Sequence, residues 1–362
     1  MRYLLFRNDG IGDFINSTPL LREIITNDNE HKILIIASPR NYAYIKLFKN
    51  LAQIEILNEN PGIFEIIAVF IKIIRFKADY SIVLKPKYYN YILSKFSGSK
   101  FKLGLKIISD SKKNSKKSKP YSPVVNFLMD QYETIDYSNN YIDSKEIHHS
   151  IHFLRTINNI FSKKKFNSLK EIKYLKPNID DYIKKLIKYL KLNEINQSYV
   201  LFHVDEKWEK SNWSVNDFIK FFNCLRELIN KNIFVTEGVC ETKFNLSLIE
   251  NNKVNKIFDF SGSKFKISKN KHKTIFVNSP SIKLLTSIVS QADLIIEIHG
   301  ALTHISSSFD KPVIDLCPLE LINYFKKWKP ISAKSIQIGL ESNDSVITKI
   351  TEYLSRNDLD QI

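Results

Sequence analysis

The sequence predicts an α/β protein made of two tandem Rossmann-like, doubly wound units. Short apolar runs alternate with segments of helical periodicity, the alternation restarts in the second half, and polar or Gly-containing loops follow several apolar runs. Alternating elements of these lengths are typical of parallel strands joined by crossover helices. A chain of 362 residues also has room for two domains of ordinary size.

The first half alternates from its beginning. We expect strands at 3–7, 33–37, 54–57 and 80–84, and helices at 14–25, 42–51, 63–76 and 146–160. The segment 109–123 is rich in Lys and Ser and holds no large apolar residue except Tyr121. It predicts an exposed, mobile loop.

The second half repeats the alternation after a helix at 179–192. We expect strands at 199–204, 232–236, 293–298 and 312–316, and helices at 215–230, 241–251, 282–291, 302–309 and 345–354. The predicted organisation is a first domain over 1–175, a second over 176–340, and a C-terminal helix within 341–362 that packs back toward the first domain.

Composition and charge restrict the class of protein. Hydrophobic residues make up 43% of the chain, which excludes disorder throughout. The formal net charge of +16 favours a polyanionic neighbour, such as nucleic acid, an anionic membrane or a phosphorylated substrate. An AT-rich genome would also enrich Lys, Asn and Ile, so both explanations of the charge stay open.

The cysteines and the apolar segments indicate a cytoplasmic protein. Cys224, Cys240 and Cys317 have no metal-ligand or redox-pair spacing, which fits a reducing compartment. The most apolar stretch, 63–76, is too short and too interrupted by charges to span a bilayer. We expect no transmembrane helix.

The first loop, 7–13, reads RNDGIGD and connects a predicted strand to a helix. Ligands of open α/β sheets bind beyond the carboxyl ends of such strands. The loop lacks the third glycine of the dinucleotide fingerprint. Asp13 is either the cap of the following helix or, in a cleft, a general base.

The second loop, 299–304, reads HGALTH and also leads from a strand into a helix. Free backbone N–H groups and the helix dipole can make such a turn an anion pocket suited to a diphosphate. The alternative is an ordinary turn, with Gly300 for backbone freedom and Thr303 as the cap.

The third segment, 203–213, follows a strand and places Trp208 and Trp213 among lysines. The two rings could hold a sugar phosphate, or Trp213 could simply staple the next helix. Both interpretations stay open.

Two weaker patterns predict neither a metal nor a nucleic acid. His148 and His152 are four residues apart, but His149 stands where a zinc-protease motif needs glutamate. The lysines of the 109–123 loop lack the interleaved aromatic residues of a single-strand groove, so a solvated loop or a membrane-surface contact is favoured.

Together these segments resemble the heptosyltransferase-like glycosyltransferases (glycosyltransferase family 9), which transfer heptose from ADP-heptose onto the lipopolysaccharide inner core. The resemblance spans nearly the whole chain and rests on residues 7–24, 148–157, 207–225, 236–244 and 292–317. It implies a GT-B fold, in which two Rossmann-like domains face each other across a cleft. It also implies acceptor binding on the N-terminal half, donor binding mainly on the C-terminal half, and inversion at the anomeric carbon without a metal or cofactor.

The resemblance implies roles for individual residues. Asp13 matches the catalytic base, and Asn8, Gly10 and Gly12 belong to the acceptor-side loop. The implied donor-binding residues are Lys210, Thr236, Glu241, His299, Gly300, Ala301, Leu302, Thr303 and His304. The chain departs from the family at His299, where the family commonly has aspartate, and after Lys210, where it commonly has Lys-x-Trp-Pro; the carboxylate nearest to His299 in sequence is Glu297.

The expected partners are a nucleotide-sugar donor, a glycolipid or oligosaccharide acceptor and the anionic inner-membrane surface, with no nucleic acid. A basic cytoplasmic protein could attach peripherally to that surface. Two alternatives stay open: a transferase that uses another nucleotide sugar for surface polysaccharide, and a non-enzymatic polyanion-binding protein. An epimerase of the short-chain type is disfavoured because no TxxYxxxK pattern is evident.

Overall fold

The computed structural model describes residues 1–107, 109–110, 115–118, 122–135, 148–161, 172–195, 197–252, 254–268, 273–331 and 334–357. The chain divides into two compact units: Met1–Asn178 with Lys326–Trp328, and Ile179–Phe325 with Lys329–Ile362. In the described part of the chain, no helix has both the length and the apolar composition required to cross a membrane.

The first unit is a parallel α/β sheet with helices on both faces. Its elements are β1 (Arg2–Arg7), α1 (Ile11–Asn27), β2 (Lys32–Ala37), α2 (Pro39–Ile45), β3 (Gln53–Ile56), α3 (Ile63–Phe76), β4 (Tyr80–Val83), α4 (Tyr88–Lys95), β5 (Phe101–Ile107), β6 (Ser109–Asp110), β7 (Ser115–Ser118), α5 (Ser122–Leu128), β8 (Gln131–Ile135), α6 (His149–Arg155) and α7 (Asn158–Phe161). The strand order β3-β2-β1-β4-β5-β8 reverses direction beside β1, so the loop after β1 lies at a topological switch point.

The second unit repeats this plan with an antiparallel extension. Its elements are α8 (Asp180–Leu192), β9 (Tyr199–Val204), α9 (Val215–Leu228), β10 (Asn232–Glu237), α10 (Lys243–Asn251), β11 (Val254–Phe260), β12 (Ser263–Ser268), β13 (Thr274–Asn278), α11 (Ile282–Gln291), β14 (Leu294–Ile298), α12 (Ala301–Ser308), β15 (Val313–Pro318), α13 (Ile322–Phe325), β16 (Ser335–Leu340) and α14 (Asn343–Arg356). The strand order is β11-β12-β13-β10-β9-β14-β15-β16, and here the switch point lies beside β9.

The predicted alternation is confirmed, with three elements found at the expected bounds: α3, β9 and α11. The sequence patterns did not predict α4, β5, α5, β8, β13, α13 and β16, nor the antiparallel strands β11 and β12. These two strands are joined by Ser261 and Gly262, which both have positive φ (52° and 80°). Two such residues form the turn that matches the twist of a hairpin, so a Ser-Gly pair between alternating sequences was the available signal.

Two other expectations concern the 109–123 segment and the C-terminal helix α14. The described part of 109–123 includes the antiparallel pair β6 and β7, whereas Lys112, Lys113 and Lys119 lie outside the described residues. The described contacts of α14 are with α9 and β16 of its own unit, because Val346, Ile350 and Leu354 belong to the second unit's core. The packing of this helix toward the first domain stays a prediction.

Candidate functional site

In the first unit, the buried Arg7 at the end of β1 organises the following loop. Its guanidinium donates two hydrogen bonds to the Asp13 carbonyl oxygen (2.9 and 2.7 Å) and one to the Leu84 carbonyl oxygen (2.8 Å). The same group lies over the ring of Phe153, 4.6 Å from its centroid. These contacts fix the first turn of α1 against the end of the sheet.

Asp13 caps α1, and its role as a general base stays a prediction. Its Oδ2 accepts a hydrogen bond from the Gly10 N–H (3.3 Å), which caps α1, and its Oδ1 lies 3.4 Å from the Arg7 guanidinium. The Asp13 side chain is 36% exposed, whereas the Arg7 side chain is 2% exposed. Asp13 therefore presents a carboxylate to solvent while remaining anchored at the helix start.

Asp9 is a second carboxyl group beside Arg7, and sequence reasoning did not single it out. Its Oδ2 lies 3.3 Å from the Arg7 guanidinium and 3.7 Å from the Lys85 ammonium. Burial raises the pKa of Asp9 to about 7, against the opposing effect of Arg7 and with a further increase from Asp13. The loop thus holds one buried carboxyl that titrates near neutrality and one partly exposed carboxyl.

The other predicted residues of this loop have structural contacts. Asn8 is buried; it donates to the Tyr89 hydroxyl (3.2 Å) and accepts from Asn90 (2.9 Å). Gly10 is the N-cap residue of α1, and Gly12 lies in the first turn of that helix.

In the second unit, the side chain of Asp315 on β15 binds residues of the 299–304 turn. His299 Nδ1 and Asp315 Oδ2 are 2.8 Å apart, and the Thr303 hydroxyl donates to Asp315 Oδ1 (3.2 Å). The Gly300 N–H donates to the Thr303 hydroxyl oxygen (3.2 Å). Because β14 and β15 are parallel neighbours, Asp315 anchors the start of α12 at the carboxyl end of the sheet.

Lys207 provides the positive charge at this turn. Its ammonium group pairs with Asp205, and a Cβ added to Gly300 would overlap its Nζ atom. Burial lowers the pKa of Lys207, but the carboxyl groups of Asp205 and Glu297 outweigh that effect, so its pKa lies above the ordinary value. The ammonium group is therefore charged and lies beside the amino end of α12.

Glu297 is the buried acid of this cluster. It lies on β14 with no exposed surface, and burial raises its pKa well above the ordinary value against the charge of Lys207. Burial therefore favours the protonated form of this acid, whereas the neighbouring Lys207 ammonium group opposes that effect.

The donor-binding residues implied by the resemblance are only partly gathered here. Leu302, Thr303 and His304 are buried in the first turn of α12 and Ala301 is half-buried, and the rings of His299 and His304 are 5.5 Å apart. The side chains of Lys210 and Glu241 are exposed. Thus Lys207, three residues before the expected Lys210, is the lysine that the fold brings to Gly300.

Thr236 lies at the carboxyl end of β10 beside His203 on β9. Its hydroxyl is 2.9 Å from His203 Nδ1, and burial lowers the pKa of His203 to about 4. The adjacent Glu237 is buried and accepts hydrogen bonds from the Ser279 hydroxyl (3.1 Å) and from Asn278 (3.2 Å). Sequence reasoning missed Glu237; its position at the end of a buried strand was the available signal.

The two tryptophans belong to the core. Trp208 is fully buried and packs with Phe218 and Phe221, and Trp213 is 9% exposed and packs with Phe221. Their indole N–H groups donate to the carbonyl oxygens of His203 (3.1 Å) and Glu341 (2.8 Å). The burial of both rings favours the packing interpretation over a surface that holds a sugar phosphate.

The histidines near residue 150 have partners within the first unit. His148 Nδ1 accepts from the Ser150 N–H (3.1 Å), and His152 Nδ1 lies 2.8 Å from Glu133. The ring of His149 stacks on Trp328 with centroids 3.6 Å apart. Among the described residues, the group whose ligand atoms lie close enough to hold a metal is His299, Asp315 and Cys317, within 4.8 Å of one another.

No protein-family model matches the chain, and no match is found among curated proteins. Solved structures do match it along nearly its whole length, and they include glycosyltransferases and nucleotide-sugar epimerases. The chain has the two-unit α/β fold of this class, GT-B, as the sequence predicts.

Three of these structures define the likeness. A glycosyl transferase of family 9 from Veillonella parvula DSM 2008 aligns with a TM-score of 0.67 and 13% identity, over 98% of this chain and 89% of that one. The ADP-heptose lps heptosyltransferase II of E. coli aligns with a TM-score of 0.66 and 10% identity, over 99% of this chain and 100% of that one. UDP-GlcNAc 2-epimerase from Neisseria meningitidis, bound to UDP-GlcNAc, aligns with a TM-score of 0.53 and 12% identity, over 100% and 93%. The resemblance to heptosyltransferase-like proteins is thus confirmed for the fold.

Proposed function

We propose that the protein is a glycosyltransferase that moves a sugar from a nucleotide sugar onto an acceptor hydroxyl. The observation that carries the proposal is the partly exposed Asp13 carboxylate, held by Arg7 at the switch point of the first sheet. The fold shared with family 9 transferases supports the same class of reaction.

The proposed reaction needs a base and a means to stabilise the leaving group. Asp13 accepts the proton of the acceptor hydroxyl, whose oxygen attacks the anomeric carbon as the bond to the diphosphate breaks. General base catalysis of this kind contributes typically about 10²- to 10⁴-fold. The configuration at the anomeric carbon is inverted, because the acceptor oxygen attacks from the side opposite to the leaving group.

In the proposed reaction, groups of the second unit stabilise the negative charge of the departing diphosphate. The first N–H groups of α12 and the ammonium group of Lys207 are the donors that we assign to it. Preorganised donors of this type stabilise charge that develops in the transition state. The proposed reaction therefore needs no metal or other cofactor.

The proposed donor is ADP-heptose, and the proposed acceptor is a lipopolysaccharide-core sugar or a related glycolipid. ADP-heptose appears in the name of the E. coli transferase that aligns over the whole chain. His299 stands where the family commonly has aspartate, which favours a different nucleotide sugar as the alternative. The net charge of +16 alone favours a non-enzymatic polyanion-binding protein.

We also propose that the protein works in the cytoplasm at the inner-membrane surface. A glycolipid acceptor lies in that surface, and basic side chains near an anionic leaflet contribute about 1 kcal/mol each. The lysine-rich segment 109–123 was predicted to take part, but its lysine side chains lie outside the described residues.

The test is a panel of nucleotide sugars followed by a transfer assay. ADP-heptose, ADP-glucose, UDP-glucose and UDP-GlcNAc are each added to the protein while the unfolding temperature is recorded. A donor at 100 times its Kd stabilises the fold by about 2.7 kcal/mol. The stabilising donor should then release its nucleoside diphosphate when an acceptor glycolipid is supplied. Stabilisation by heparin but by no nucleotide sugar would instead support the polyanion-binding alternative.

A further inference from the structure

Helix α3 exposes an apolar stripe that no described part of the chain covers. The exposed fractions are 64% for Ile63, 84% for Phe64, 48% for Ile67, 45% for Ile71 and 42% for Ile74. At 100° per residue these positions fall within about 100° of the helix circumference, over a length of about 17 Å. Soluble proteins rarely expose a continuous apolar face of this kind without an interaction partner.

The stripe is not a poorly packed side of the core. Val69 and Ile73, on the opposite side of α3, are buried in the core cluster of the first unit. Buried residues of α4 and α5 belong to the same cluster, so the three helices cover one face of the sheet. The outer side of this layer also exposes Ile92, Phe96 and Phe127, at 45%, 63% and 78%.

A basic cavity of about 320 Å³ adjoins the C-terminal half of α3. Its lining includes four basic side chains and one carboxylate, from Arg2, Lys32, Lys72, Arg75 and Glu55. Lys72 pairs with Glu55 at 2.5 Å. Among the described residues, neither Lys32 nor Arg75 has an ion-pair partner, so the cavity keeps an excess of positive charge beside the apolar stripe.

We propose that the α3 stripe and the adjoining basic cavity dock the first unit on an anionic phospholipid bilayer. The apolar side chains would enter the boundary between headgroups and acyl chains, while the cavity would receive a lipid phosphate. An apolar face beside Lys and Arg is the pattern of helices that lie in a membrane interface. Glu65, the acidic residue of α3, is bound by Asn58 and lies on the side of the helix away from the stripe.

Charge favours a bilayer over a second copy of the chain. A twofold dimer is isologous, so each surface would meet its own copy and the two basic cavities would come close together. Like charges brought together in this way oppose association. An anionic leaflet instead neutralises the same side chains, and the net charge of +16 attracts the protein toward it.

The test is flotation of the full chain with phosphatidylcholine vesicles, with and without phosphatidylglycerol, in the absence of donor and acceptor. The apolar variant combines Phe64→Ser, Ile67→Ser and Ile71→Ser. Its matched control combines Leu192→Ser, Leu246→Ser and Ile257→Ser, which are exposed apolar positions of the second unit. We expect the apolar variant to bind anionic vesicles at least about tenfold more weakly, with the control unchanged.

The charge variant combines Lys32→Gln and Arg75→Gln, with Lys184→Gln and Lys185→Gln on α8 as the control of equal charge. Each removed charge in the cavity should weaken binding about fivefold, and added salt should reduce this difference. Circular dichroism and the unfolding temperature show whether each variant is folded. A Phe64→Trp variant should shift its emission to shorter wavelength when anionic vesicles are added, whereas Ile257→Trp should not.

Three results would overturn the proposal. They are unchanged vesicle binding by the folded apolar variant, equal binding to neutral and anionic vesicles, and a dimer that the apolar variant dissociates. Because no sugar donor takes part, this inference does not depend on the proposed transferase activity.

Discussion

The ammonium group of Lys207 occupies the space in which Gly300 would carry a Cβ atom. The backbone of Gly300 is extended, with φ of −172°, so any residue can adopt its conformation. Glycine at position 300 therefore leaves room for the Lys207 ammonium group and is not required for the folding of the turn. A side chain added at position 300 should therefore affect ligand binding more than the stability of the fold.

Gly300→Ala should displace the Lys207 ammonium from the start of α12 without unfolding the protein. We expect nucleotide-sugar affinity to fall about tenfold, because one hydrogen bond to a charged group contributes about that much to binding. Calorimetric titration with the stabilising donor measures it. Gly62→Ala is the matched control, because a Cβ there meets nothing within 4 Å. Unaltered affinity in the folded Gly300→Ala protein would remove Lys207 from the donor site.

Lys207→Met and Lys210→Met distinguish the lysine placed by the fold from the one chosen from sequence. The first should weaken donor binding at least about tenfold, and the second by less than about twofold, because Lys210 is exposed. Lys220→Met, on the exposed side of α9, controls for the loss of one charge. The opposite ranking would restore the sequence-based assignment.

Asp13→Asn should keep the fold and lose turnover. Asn caps helices about as well as Asp, so the unfolding temperature should change little. Turnover should fall at least about 10²-fold, because the amide cannot accept the acceptor's proton. Donor affinity should persist, and Glu30→Gln, an exposed position of the same unit, should leave turnover unchanged. Near-normal turnover in Asp13→Asn would leave Asp13 as a helix cap.

Asp9 should make the stability of the protein depend on pH. Its pKa is about 7 in the fold against an ordinary value of 3.8, so the folded state binds the extra proton between these values. Protonation of Asp9 therefore makes its full contribution to the free energy of unfolding below about pH 4. This contribution is lost as pH rises toward 7, and it amounts to on the order of 1.4 kcal/mol for each unit of pKa difference. Asp9→Asn should flatten this part of the profile, measured by denaturant unfolding from pH 4 to 8. An identical slope in both proteins would contradict the assignment.

Glu297→Gln should be nearly neutral for stability at pH 7. A protonated glutamic acid and a glutamine have almost the same shape, and burial raises the pKa of Glu297 well above its ordinary value, which favours the protonated form. Glu297→Ala leaves a cavity and should cost about 1 to 3 kcal/mol. Denaturant unfolding compares the two variants. If Glu297→Gln were as destabilising as Glu297→Ala, the carboxyl would have to be ionised.

The fold class and the position of both loops follow from local sequence patterns. Apolar runs of strand length and helical periodicity are local patterns, so β9, α3 and α11 could be predicted at their exact bounds. Strand-loop-helix order also placed Asp13 and the 299–304 turn at the carboxyl ends of strands. Short or alternating elements such as α4, β11 and β12 were missed because their patterns are weak without their neighbours.

Packing between distant segments sets which side chains meet. Asp9 lies 3.7 Å from Lys85, and Lys207 reaches Gly300 almost a hundred residues away, because separate strands end at the same edge of a sheet. Likewise, helical periodicity shows that α3 is apolar on several sides, but the sheet beneath it selects Val69 and Ile73 for burial and leaves Phe64 and Ile67 exposed. Burial and charge proximity depend on packing between distant segments, and no local pattern in the sequence contains that information.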